Sequence, residues 1–158
     1  MRTLIVYMTT HGATEKTAEI LKSKLKGDVS LVNLKKNKPR DLSGFDTIVI
    51  GGSIHIGKIQ KGITTFIAKH LDTLKQKKLG LFVCCMAEGD EAQKEFEAAF
   101  PEELRAHATA TGFFGGEFNF EKMNFIYRAM IRKVAKVSES VSKLKEENIG
   151  PFADALNR

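Results

Sequence analysis

The stretch Thr9-Thr10-His11-Gly12-Ala13-Thr14 sets hydroxyls and small residues where an apolar run gives way to a helical pattern. Backbone N–H groups at a helix N-terminus lack partners and carry part of the helix dipole, so such a junction binds an anion. The hydroxyls of Thr9, Thr10 and Thr14 add hydrogen-bond donors, and Gly12 lets the backbone approach a ligand closely. The loop contains no lysine. A nucleoside triphosphate loop requires a Gly-Lys-Ser/Thr ending and a dinucleotide loop requires spaced glycines; neither pattern is present. Hydroxyls and amides without a cation suit one terminal monophosphate, which selects a mononucleotide. A threonine N-cap alone accounts for one hydroxyl, not for several with a glycine. His11 is open among three positions: toward the phosphate, toward the edge of a bound ring, or toward solvent.

An alternation of strands and helices positions this loop. Thr3 to Met8 is apolar and β-branched without polar alternation, the pattern of a strand covered on both faces. Thr17, Ala18, Leu21 and Leu25 follow at helical spacing within a helix from Thr14 to Leu25. Val29 to Leu34 reads as a second strand, Lys35 to Ser43 with Pro39 as a loop, and Thr47 to Ile50 as a third strand ending at Gly51 and Gly52. After a loop from Ser53 to Lys58, a long amphipathic helix is expected from Ile59 to Leu74. Leu79 to Cys85 is a fourth strand, Asp90 to Phe100 a helix ending at Pro101, and His107 to Gly115 a fifth strand. Two closing helices are expected over Phe120 to Val137 and Glu146 to Leu156. This order describes an α/β, doubly wound fold: a parallel sheet with helices on both faces.

A chain of 158 residues fits a single domain over residues 1–158, and a chain of this size buries roughly 70% of its unfolded surface without disulfides or a structural metal. Apolar residues at 42% and charged residues at 28% exclude a disordered or fibrous chain. The longest apolar stretch, Leu81 to Ala87, is far below the roughly 20 residues of a membrane span, so a cytoplasmic protein is expected. Cys84 and Cys85 are adjacent, which suits neither an ordinary disulfide nor spaced zinc ligands; they read as core thiols, and no metal site is expected. A net charge of +6 admits an acidic partner. Nucleic acid is not expected, since the chain has neither a reading-helix motif nor interleaved stacking aromatics.

The span Ile5 to Ile20, I-V-Y-M-T-T-H-G-A-T-E-K-T-A-E-I, resembles the flavodoxin signature, including the strand, the Thr9 to Thr14 loop, Ala18 and Ile20. The resemblance implies noncovalent FMN, with its phosphate held by Thr9, Thr10, Gly12, Ala13 and Thr14. Five strands match the flavodoxin-like sheet order 2-1-3-4-5, which places a ligand beyond the carboxyl ends of strands one and three. The ring would then meet two further loops. Ser53, Ile54, His55, Ile56 and Gly57 form one; reduction of a flavin places a proton on its N5 and negative charge near N1, so a flexible peptide at Gly57 and a proton or charge from His55 would serve it. His55 has an unperturbed pKa of about 6.5 and reads equally well as a surface histidine. Cys85, Met86 and Ala87 form the other loop, with backbone contacts and soft packing surface.

Electron-carrying flavodoxins commonly clamp the ring between aromatics and are strongly acidic. This chain has no tryptophan, carries Ile54, Ile56 and Met86 in these loops, and is basic. A basic segment follows the expected fifth strand at about residues 117–137, with Arg128, Arg132 and Lys136 four apart on a face that also carries Phe125. Such a face is most simply solvated, and it also suits anionic lipid or propionate-type carboxylates. Together, S-I-H-I-G-K at Ser53 to Lys58 and Y-R-A-M-I-R-K at Tyr127 to Lys133 resemble menaquinone-dependent protoporphyrinogen IX dehydrogenases. That resemblance implies oxidation of a porphyrinogen, electron delivery to a membrane quinone, and peripheral contact with the inner face of the membrane. An electron-transfer flavodoxin or an FMN-dependent quinone reductase, acting with another small redox substrate or an electron-transfer partner, would present the same loops.

Overall fold

The computed structural model describes residues 1–118, Ala129, Arg132, Lys133 and residues 141–158. The chain runs through β1 (Arg2–Tyr7), α1 (Ala13–Lys24), β2 (Asp28–Asn33), β3 (Thr47–His55), β4 (Lys58–Ile59), α2 (Lys61–Leu74) and β5 (Lys78–Cys84). It continues through α3 (Gly89–Ala99), α4 (Glu102–His107), β6 (Ala110–Phe113), β7 (Glu117–Phe118), β8 (Val141–Ser142) and α5 (Ile149–Asn157). The parallel strands lie in the order β2-β1-β3-β5-β6, the expected doubly wound arrangement, with β4 added antiparallel to β3. Strands β7 and β8 form a separate antiparallel pair.

Alternation along each strand divides the core between two faces. Leu4, Val6, Ile48 and Ile50 pack with Ile63, Phe66 and Phe96 of α2 and α3, whereas Ile5, Tyr7, Val49 and Phe82 pack with Leu21 of α1 and Phe152 of α5. Both faces are covered, which is why these strands read as unbroken apolar runs.

Several boundaries differ from the sequence reading. Strand β3 does not stop at Gly51 and Gly52 but continues to His55, pairing Gly51 with Phe82 and Ser53 with Cys84. The glycine is there to make room: a Cβ on Gly51 would collide with the Phe82 ring. Helix α2 starts at Lys61 because Lys58 and Ile59 turn back onto β3. Pro101 opens a further helix, α4, and the expected fifth strand shortens to Ala110–Phe113. Pro151 falls in the first turn of α5, where its missing N–H costs no helical hydrogen bond.

The expected helix over Phe120 to Val137 lies mostly outside the described residues, and so do Phe125, Arg128 and Lys136; Arg132 and Lys133 are helical and exposed. Among the described residues no helix is long and apolar enough to cross a membrane.

The contact between Gly51 and Phe82 predicts that Gly51→Ala lowers unfolding stability by about 2 to 3 kcal/mol through overpacking. Urea denaturation of the double variant Gly51→Ala/Phe82→Leu should show a loss smaller than the sum of the single losses.

Candidate cofactor cleft

The phosphate-type loop leaves β1 while Met8 N–H still bonds the Gly51 carbonyl at 3.3 Å, so the loop starts from a registered pair of strands. Gly12 adopts φ 97°, in the left-handed region that favours glycine, and its N–H donates to Thr9 Oγ1 at 2.8 Å. Helix α1 then begins without a capping side chain, leaving its first-turn amides at Ala13, Thr14 and Glu15 directed out of the helix. The Thr14 hydroxyl is buried and has no hydrogen bond within the usual limits. An uncapped helix start and a left-handed glycine are the features a single phosphoryl group would satisfy.

The segment expected to be a loop after β3 is an ordered hairpin. Ile54 pairs with Ile59 and His55 with Lys58, leaving Ile56 and Gly57 as the turn. Both turn residues have positive φ, 51° at Ile56 and 75° at Gly57, the geometry of a two-residue primed turn. A β-branched residue in this region is strained by roughly 1 to 2 kcal/mol. Ile56 is also 52% exposed, although most large apolar residues of the chain are covered.

Gln60 ties this hairpin to the first loop. Ser53 N–H donates to Gln60 Oε1 at 3.0 Å, which orients the amide; Gln60 Nε2 then donates to Ser53 Oγ at 2.5 Å and to Thr10 Oγ1 at 3.3 Å. Ser53 Oγ, which accepts from Gln60, also lies at hydrogen-bond distance, 2.8 Å, from His55 Nε2. Gln60 is invisible to sequence reasoning because it falls inside the expected helix from Ile59. The backward pairing of β4 is what frees it.

On the third side, Cys84 ends β5 and Cys85 and Met86 follow it. Burial, more than any other influence, pushes the Cys84 thiol up to about 11, against the weaker pull of the Thr17 and Thr14 hydroxyls. Burial, then the Glu95 carboxylate, pushes Cys85 up to about 12. Both are protonated at neutral pH and unsuited to thiolate chemistry. The β6–β7 connection closes over them: a Cβ on Gly116 would stand 2.8 Å from the Cys85 carbonyl carbon.

Thr9, His11, Ala13, Ser53, Ile54, His55, Cys85 and Met86 line one cleft. Cys84, Gly116 and Glu117 join them, the last from β7 and Gly116 from the connection just before it, neither marked by any sequence signal. Thr10 reaches the cleft through Gln60, Thr14 lies beneath the loop, Ile56 and Gly57 form the hairpin tip, and Ala87 faces a neighbouring cavity. The open space is only about 30 Å³, room for about one water. Two imidazoles occupy the middle, since the His11 and His55 rings meet edge to face at 5.7 Å. Burial, then the neighbouring His11, lowers the His55 pKa to about 4, so His55 is neutral at pH 7 here and not the cation that its unperturbed pKa allows. The two imidazoles thus stand in the narrow middle of the cleft, beside the phosphate-type loop. Among the described residues no cluster of His, Cys, Asp or Glu is placed to hold a metal ion.

Residues 4–144 match the family described as Flavodoxin domain, which is most of the chain. The chain belongs to that family. FMN is the cofactor that this membership implies, and the phosphate end of the cleft fits it. No curated protein sequence matches the chain. Among solved structures, the flavodoxin, WrbA-like protein from Agrobacterium tumefaciens is similar with a TM-score of 0.60 at 14% identity, over 99% of this chain and 95% of that one. A flavodoxin from Streptococcus pneumonia TIGR4 has a TM-score of 0.58 at 18% identity, over 99% and 97%. Rubredoxin oxygen:oxidoreductase from Desulfovibrio gigas has a TM-score of 0.56 at 13% identity over 99% of this chain; the chain spans only 37% of that protein's length. At such identities the likeness is one of fold.

The strain at Ile56 predicts that Ile56→Asn, a residue that tolerates left-handed backbone, raises unfolding stability by about 1 kcal/mol and weakens FMN binding by about tenfold. Unchanged FMN affinity in a fluorescence titration would separate the strain from the ligand. His55 predicts a pH effect of definite sign. Its folded pKa lies below its unfolded one, so its contribution is whole above about pH 6.5 and is lost as pH falls toward about 4, by about 2 kcal/mol between pH 7 and pH 5. Urea denaturation of His55→Gln over that window should show a correspondingly shallower loss.

Proposed function

We propose that this flavodoxin-domain protein is an FMN-dependent oxidoreductase that oxidises a porphyrinogen and passes the electrons to a membrane quinone, in the manner of protoporphyrinogen IX dehydrogenases. The observation that carries this reading is the pairing of Phe118 with Val141 beside a cleft lined by Gly116 and Glu117. The basic segment at about residues 117–137 thus begins at a strand, β7, whose Glu117 lines that cleft and whose partner β8 follows the segment. A carboxylated substrate held by Arg128, Arg132 and Lys136 would be tethered next to the reacting ring, and Phe125 with the same cations would meet an anionic membrane surface where a quinone resides.

When bound, FMN supplies an acceptor for a pair of electrons and the accompanying proton. The residues of this chain have complementary tasks. The first-turn amides of α1, with the Thr10 and Thr14 hydroxyls, hold the phosphate. Gln60 keeps the Thr10 loop and the Ser53–His55 hairpin in fixed relation. His55 presents a neutral imidazole held beside the Ser53 hydroxyl, and negative charge arriving nearby raises its affinity for a second proton. Ile56 offers an apolar cover that excludes water. The net charge of +6 favours a carboxylated substrate and opposes docking on the basic patches that an acidic electron carrier uses.

Full-length protein loaded with FMN should convert protoporphyrinogen to the porphyrin with reduction of a menaquinone analogue. The triple variant Arg128→Gln/Arg132→Gln/Lys136→Gln should raise KM by about tenfold and leave the flavin absorption unchanged. Absence of porphyrin formation, with rapid reduction by a flavodoxin reductase, would reassign the protein as an electron carrier.

A further inference from the structure

A second cavity, of about 290 Å³, lies between the connection after β2 and helix α2 and shares no lining residue with the cofactor cleft. Its floor is apolar: Leu34 and Phe66 are buried, and His70, only 8% exposed, stacks on Phe66 with ring centres 4.7 Å apart. The His70 ring bonds the Pro39 backbone, and burial, then the Lys69 charge, lowers its pKa. The rim is formed by the exposed Lys38, Lys61 and Lys69, and among the described residues no carboxylate lines the cavity. None of these lysines makes an ion pair among the described residues, and the first turn of α2 holds no acidic residue.

These features specify a ligand chemistry. At about 30 Å³ per water the cavity holds about ten waters, which an apolar body of similar heavy-atom count replaces with gain. Its size sits at the lower end of the range for small-molecule pockets. An anionic head at the mouth meets three ammonium groups without displacing an existing ion pair. A bare inorganic anion would leave the floor wet, and a neutral amphiphile would leave the rim charge unused. We propose that this cavity binds a small amphipathic carboxylate, with its alkyl or aryl body on Leu34 and Phe66 and its carboxylate among Lys38, Lys61 and Lys69. The site backs onto the phosphate-type loop: a Cβ on Gly62, in the cavity wall, would meet the sulfur of Met8, and Gln60 immediately precedes Lys61.

The test uses the full-length protein and three probes: decanoate, decan-1-ol as its uncharged counterpart, and inorganic phosphate as charge without a body. Calorimetry should show saturable decanoate binding at least about tenfold tighter than either other probe. NMR should place the shifts on α2 and the Lys38 loop, and the His70 imidazole pKa should rise on decanoate binding because an anion favours the imidazolium. Lys38→Gln/Lys61→Gln/Lys69→Gln should weaken decanoate about tenfold while leaving decanol unchanged, and Thr65→Trp, which fills the cavity from an exposed position, should weaken both. Equal binding of decanoate and decanol, phosphate binding as tight as decanoate, no saturation, or full affinity in the triple variant would each overturn the proposal. Capture by anionic phospholipid vesicles that the triple variant loses, without decanoate binding, would overturn it in favour of a lipid-surface contact.

Discussion

The amides of Ala13, Thr14 and Glu15 open helix α1 without a capping side chain, so the positive end of the helix dipole faces the gap between the carboxyl ends of β1 and β3. A buried helix start without partners is costly. The surrounding structure is arranged around that deficit. Gly12 takes the left-handed conformation that lets the chain turn into the helix, Thr9 holds the Gly12 amide, and Gln60 reaches Thr10 from across the sheet. An incoming phosphoryl group would supply the missing acceptors and complete the helix.

The other half of the cleft is filled where the first half is incomplete. His11 and His55 occupy the space a planar ring needs, and burial keeps His55 uncharged. The two imidazoles meet edge to face, and the obstruction they make is one of side chains, outside the backbone pairing of the sheet. The Ser53 hydroxyl, itself bonded by Gln60, holds the His55 ring through Nε2. The strained and exposed Ile56 stands at the rim, where a feature unfavourable to the isolated chain is consistent with contact to something else.

The parallel sheet, its two covered faces and the phosphate-type loop are legible in the sequence because each rests on short-range pattern. Unbroken apolar strands alternate with amphipathic helices, and Thr9 to Thr14 joins a strand directly to a helix. Gly51 and Gly52 mislead because glycine has two uses that look alike in one dimension. It permits a turn, and it also deletes a side chain where another residue, here Phe82, needs the room. Gln60 and Gly116 are missed for a related reason: each acts on partners that only strand pairing brings close.

Local composition and periodicity thus decide which segments are strands and helices, which helix start accepts an anion, and that the chain is basic. Tertiary structure alone decides that His11 and His55 share one space, that β4 folds back to free Gln60, and that residues 118 and 141 stand side by side at the cleft. The physical reason is range. Propensity and dipole act within a few residues and are written in the chain order, whereas a histidine's charge state or a glycine's necessity depends on neighbours that packing supplies.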